Sequence, residues 1–130
     1  MWNICKVGIK LKYFIIIFSC ILLLGCSNSN NQEFSYQKIT SEEALEIMKE
    51  RENYLVLDVR NRDEFTEEHI EGAFNLPYNE INELIDIDKD TVIFVYCKSG
   101  TRSKIAAEKL IELGYEVYDL GAYENIDLEE

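Results

Sequence analysis

Apolar positions along this chain come in two rhythms: short continuous runs, and stripes spaced three and four residues apart. From Phe34 onward the two alternate. Phe34 to Ile39 is expected as a first strand. Thr40-Ser41-Glu42-Glu43 has the spacing of a capping box, with Thr40 as N-cap and Glu43 reaching back. Ala44, Leu45, Ile47 and Met48 then form the apolar stripe of a helix ending near Arg51. Leu55-Val56-Leu57 reads as a buried strand ending at Asp58. Asp63 to His69 has the spacing of a short helix, and Ala73 to Leu76 that of a short strand stopped before Pro77. Ile81, Leu84 and Ile85 suggest another small helix. Thr91 to Tyr96 is the clearest strand, with five of its six residues apolar or aromatic. A helix is expected from about Ser103 to Leu113, with Ile105, Ala106, Lys109, Leu110 and Leu113 on its packed face. Gly114 stands where a left-handed residue closes such a helix, and Tyr115 to Leu120 forms the last strand.

Strands that alternate with helices and are apolar almost throughout predict an α/β fold. Its core is a central parallel sheet of about five strands with helices on both faces. In such sheets a ligand sits outside the carboxyl ends of the strands. Cys97, directly after the Thr91–Tyr96 run, is at such an end.

The N-terminal block has another character. Lys6, Lys10 and Lys12 precede an apolar run from Tyr13 to Leu24 that only Ser19 interrupts. A positive start and a short apolar stretch ending in small residues are marks of an export signal, and the run is short for a membrane span of about 20 residues. Leu23-Leu24-Gly25-Cys26 resembles the lipobox of bacterial lipoproteins. That resemblance implies removal of residues 1–25, lipidation of Cys26, and anchoring to the outer face of a bacterial cell membrane. An uncleaved N-terminal anchor is the alternative. The Asn- and Ser-rich stretch up to Glu33 reads as a flexible tether, so the organisation expected is signal 1–25, lipidated cysteine and tether 26–33, domain 34–130.

Processing of this kind changes the meaning of the four cysteines, Cys5, Cys20, Cys26 and Cys97. The first two would leave with the signal and Cys26 would become a thioether, so Cys97 would be the one free thiol, without a disulfide partner. The formal net charge is −12, and all 25 carboxylates lie beyond the signal. Such a surface argues against nucleic acid as a partner of the domain. One cysteine and one histidine in the domain offer no metal-ligand cluster, and no cofactor is expected.

Cys97-Lys98-Ser99-Gly100-Thr101-Arg102 can favour an anion for three reasons. It leads into a helix whose first amides are unsatisfied and partly positive. Gly100 lets the backbone curl so that successive N–H groups face inward. Arg102 closes the loop with a fixed charge, and Lys98 adds another cation. A cysteine reacts as its thiolate, and the same cradle would hold an incoming oxyanion.

Cys-x-x-Gly-x-Arg-Ser after an apolar strand resembles the active-site loop of the rhodanese domain. Leu57-Asp58-Val59-Arg60, Arg62-Asp63-Glu64-Phe65, the stretch His69 to Pro77 and Asp119-Leu120-Gly121-Ala122 resemble further motifs of that family, in the same order. The chain departs from the pattern at Glu68, Glu71, Ala122 and Asn125. The resemblance covers roughly Phe34 to Ile126. It implies that Cys97 accepts sulfane sulfur from thiosulfate or a similar donor as a persulfide and passes it to a thiol or cyanide-like acceptor. It further implies that Lys98, Ser99, Gly100, Thr101 and Arg102 form the substrate cradle, while Asp58, Arg60 and Ser103 support the loop. A non-catalytic or redox-sensing surface module using the same loop is the rival reading. Phosphatase chemistry is the weaker rival, because loops of that kind have one more residue between Cys and Arg. His69 is read as a hydrogen-bonding turn residue, and Tyr96, Tyr115, Tyr118 and Tyr123 as packing.

Overall fold

The computed structural model describes residues 33–82 and 85–129; the signal, Cys26, most of the tether and Leu84 lie outside them. Residues 33–130 form one unit. Its elements are α1 (Ser41–Glu50), β1 (Tyr54–Asp58), α2 (Arg62–Glu67), β2 (Phe74–Asn75), β3 (Val92–Cys97), α3 (Thr101–Glu112) and β4 (Glu116–Ala122). All strand pairs are parallel, in the order β2-β1-β3-β4. The chain steps outward from β1 to β2, then returns to the other side of β1 with β3. The order therefore reverses between β1 and β3, whose carboxyl ends are Asp58 and Cys97.

Side-chain alternation divides the core. Leu57, Ile93, Val95 and Cys97 pack with Ala106, Ala107 and Leu110 of α3. Val56, Val92, Phe94 and Tyr96 pack with Ala44 of α1, flanked by Ile47 and Met48. Every residue of β3 is buried, which is why this segment is a continuous apolar run rather than an alternating one. The expected capping box is present: Thr40 Oγ1 accepts from the Glu43 amide, and the Thr40 amide donates to Glu43 Oε2 at 2.8 Å. At the end of α3 the Gly114 and Tyr115 amides donate to the Ile111 and Leu110 carbonyls, the pattern of a helix closed by a left-handed glycine (φ 89°).

Three expectations need correction. Phe34–Ile39 is no strand: only Lys38 bridges to β4, at Asp119, so the edge is a single bridge and the sheet has four strands. Of the small helix expected around Ile81, Leu84 and Ile85, Leu84 lies outside the described residues; Ile81, Asn82 and Ile85 are not helical, and a turn precedes them, held by Glu80 N–H to Pro77 O. The Asn82 side chain donates to the Glu80 carbonyl and competes with a helical ladder. The third concerns α3, which starts at Thr101 rather than Ser103, so Thr101 and Arg102 belong to its first turn.

At the end of β1, Asp58 and Arg60 form a buried ion pair. Arg60 Nε and Nη2 donate to the Asp58 carboxylate, the latter at 2.7 Å, and the Arg60 amide donates to Oδ1 at 2.8 Å. The guanidinium also donates to the Glu68 carbonyl and lies over the rings of Tyr96 and Tyr123. Removing one partner of a buried pair leaves the other charge uncompensated, at a cost of about 3–5 kcal/mol. Asp58→Ala is therefore expected to lower the urea midpoint by a corresponding amount, and a midpoint equal to wild type would refute this account of the pair.

Candidate active site

Cys97 is the last residue of β3 and is fully buried, at 0% exposure. Its Sγ accepts the Gly100 amide at 3.0 Å. Gly100 is the N-cap of α3 in the left-handed region (φ 89°), where a β-carbon is strained. That turn of the backbone aims the amide back at the sulfur. No acidic side chain occupies the first turn of α3, leaving its partly positive end to the anion. The Gly100 carbonyl accepts from Ser103 Oγ at 3.1 Å and from the Lys104 amide at 3.2 Å. Ser103 is fully buried, so it fastens the turn from within. Lys98, Ser99 and Thr101 are exposed and rim the loop.

β4 supplies the wall behind the loop. Between Val95 and Tyr96 the register shifts, setting Gly121 opposite Tyr96 and Ala122 opposite Cys97. Asp119 holds this irregularity: its Oδ1 accepts the Gly121 amide at 2.8 Å and its Oδ2 the Tyr36 hydroxyl at 2.7 Å. Burial, and then Asp119 as acceptor, push the Tyr36 phenol well above its ordinary range, so Tyr36 remains a donor. A β-carbon on Gly100 would stand 3.7 Å from Gly121 Cα; the two glycine backbones are thus directly apposed.

Arg102 is turned towards α2. Its Nη1 and Nη2 donate to Glu64 Oε2 and Oε1 at 2.7 and 3.0 Å, in a bidentate pair. The same carboxylate accepts the Asn61 amide at 3.1 Å at the start of α2. Arg102 thus ties the loop to the chain that leaves β1, and its charge is compensated. Glu64 had a place in the sequence motif but no role. Its partner lies 38 residues away, which spacing alone does not reveal.

Asp58 and Arg60 form no side-chain hydrogen bond to the loop itself. They act one residue back, where Asp58 pairs in register with Tyr96 and Arg60 lies over its ring. The Val59 amide also donates to the Tyr96 carbonyl at 3.0 Å. His69 is a turn residue: its Nδ1 faces the Phe65 carbonyl at 2.8 Å and its ring stacks on Phe65.

Hydrogen bonds from Arg102 hold the Glu64 carboxyl down to about 2, against an opposing effect of burial. A carboxylate held below its unfolded value near 4.3 stabilises fully above that value, and the benefit fades as pH falls through the folded one. The stability gap between wild type and Glu64→Gln is expected at about 2 kcal/mol near neutrality. It should be level above about pH 5 and close between about pH 4 and 2. Urea titrations at a series of pH values check this, and a pH-independent gap would contradict it.

The rhodanese-like domain model matches residues 40–127. A thiosulfate sulfurtransferase GlpE of Coxiella burnetii is 38% identical over 92 residues, covering 68% of this chain and 85% of that protein. The thiosulfate sulfurtransferase PspE of Escherichia coli is 40% identical over 62 residues, or 45% of this chain and 60% of its own length. Among solved structures, a rhodanese with anions from E. coli superposes with a TM-score of 0.54 at 35% identity, covering 58% of this chain and 94% of that one. With a family match across nearly the whole described unit, the chain belongs to the rhodanese-like domain family.

Proposed function

We propose that this protein is a sulfurtransferase in which Cys97 carries sulfane sulfur, working outside the cytoplasm on a lipid anchor at Cys26. The observation that carries the reading is the 3.0 Å contact from the Gly100 amide to Cys97 Sγ at the start of α3. That geometry favours negative charge on sulfur, whether on the thiolate or on a persulfide extending from it. The names of the GlpE and PspE relatives support thiosulfate as donor.

In the reaction the Cys97 thiolate attacks the outer sulfur of thiosulfate. The sulfur–sulfur bond of the donor breaks, sulfite leaves with the bonding electrons, and Cys97 is left as a persulfide anion. A thiol or cyanide-like acceptor then attacks the terminal sulfur, and the Cys97 thiolate departs with the electron pair. No net oxidant is consumed. The Gly100 amide stabilises the anion at both stages, as a preorganised donor does. Lys98, Ser99 and Thr101 at the rim meet the donor, while Arg102, held by Glu64, keeps the loop in shape. The lipid on Cys26 follows from its lipobox resemblance. Each buried CH₂ of an acyl chain contributes about 0.8 kcal/mol, so two or three chains anchor stably.

Incubation with thiosulfate is expected to add one sulfur atom to the intact chain, seen by mass, and to give thiocyanate when cyanide follows. Cys97→Ser should show neither. Failure of wild type to gain sulfur from any sulfane donor would favour the redox or binding module instead. For the anchor, Cys26→Ala is expected to abolish incorporation of a palmitate analogue in cells, and retained labelling would refute lipidation at that residue.

A further inference from the structure

The proposed donor is an anion and the chain carries a net charge of −12, so its overall field opposes the approach. The two arginines nearest the loop do little to offset this. Arg60 is paired with Asp58 and Arg102 with Glu64, each by a bidentate contact that compensates its charge.

Lys98, in the loop itself, and Lys38, outside it, make no ion pair among the described residues. Lys38 is the one that the loop motif does not include. Its backbone is fixed beside β4: the Asp119 amide donates to the Gln37 carbonyl at 2.9 Å and the Ile39 amide to the Asp119 carbonyl at 3.0 Å. From there its side chain runs towards the carboxyl end of the strand and lies on Gly121. A β-carbon on Gly121 would fall 3.0 Å from Lys38 Cε and 3.3 Å from Nζ. The absent side chain of Gly121 is therefore the space the lysine stem occupies. Gly121 in turn backs Gly100, whose amide holds the sulfur. Gly121 is thus in contact with the lysine stem on one side and with Gly100 on the other. Asp119, which Lys38 faces across the bridge to β4, accepts from Tyr36 and Gly121 and forms no ion pair with the lysine.

We infer that Lys38 is a specificity-determining residue that guides small anionic sulfur donors to Cys97. It stands outside the loop motif, on a segment that precedes the first helix. The inference deepens the sulfurtransferase reading and rests on it for the identity of the anion. It acts through charge at a distance, so it favours anions over neutral reagents and weakens as salt rises, with a screening length of about 10 Å at 0.1 M.

Alkylation of the full chain with iodoacetate and with iodoacetamide tests this, each rate being read by mass spectrometry on the peptide that holds Cys97. Both reagents alkylate the same sulfur, so the ratio of their rates reports the preference at Cys97 for an anionic over a neutral reagent. At low salt, Lys38→Gln is expected to lower the iodoacetate-to-iodoacetamide ratio about threefold, and Lys38→Glu further. Lys38→Arg should keep the wild-type ratio. Lys89→Gln, an equal change of net charge at the far end of β3, should leave it unaltered. In thiosulfate turnover, Lys38→Gln should raise KM by a similar factor with kcat unchanged. An unaltered ratio in both Lys38→Gln and Lys38→Glu, or an equal fall in Lys89→Gln, would overturn the inference. If the ratio falls as expected while wild type transfers no sulfur, the guidance of anions by Lys38 stands and the sulfurtransferase reading fails.

Discussion

β3 has no solvent-facing side. Its alternate residues are committed to two different packings, one under α3 and one under α1, and it is hydrogen-bonded to a strand on each flank. A thiol at the end of such a strand has its Cα and Cβ set by the most constrained segment of the molecule. The turn that follows must then reach α3 within a few residues, and it does so through a left-handed glycine. Placement of the sulfur against the Gly100 amide is a consequence of these two constraints acting at once. The remaining features hold the turn from different sides: Ser103 from below, β4 from behind, and Glu64 through Arg102 from across the switch in strand order.

Three buried or half-buried carboxylates organise this end of the sheet, each with a distinct task. Asp58 neutralises Arg60 and so makes it possible to bury a guanidinium against Tyr96. Asp119 stabilises the register shift that brings Gly121 behind the loop. Glu64 restrains Arg102 while capping the start of α2. The acidic composition of the chain thus has a local meaning at the site: its carboxylates hold the cations and amides that shape the cradle.

Much of this was legible in the order of residues. The continuous apolarity of Val92 to Tyr96 gave away a strand covered on both faces, and the Thr40–Glu43 spacing gave the start of α1, because both signals are local. The Cys97–Arg102 spacing likewise disclosed a loop closing on a helix. What the sequence hid depends on partners far along the chain. Phe34 to Ile39 has strand-like residues, yet it meets β4 only at Asp119, and nothing in its own pattern sets the extent of that pairing. Ile81 and Ile85 have helical spacing, but the Asn82 side chain donates to the Glu80 carbonyl and the described residues there are not helical. The spacing places Arg102 as a fixed charge that closes the loop, without its partner. Its engagement by Glu64 could be seen only once β1 and β3 were neighbours.

The sheet's borders are unusually brief. On one side β2 offers two residues, Phe74–Asn75, before Pro77 ends the run, and the Asn75 amide group is turned inward to the carbonyls of Asp58 and Arg60. On the other, the segment around Lys38 lies alongside β4 at Asp119 and places a charge there. Short, interrupted or charged borders are poor templates for a strand from another molecule. Copies of this domain crowded together would therefore resist edge-to-edge aggregation, even though the parallel sheet between those borders is almost wholly apolar.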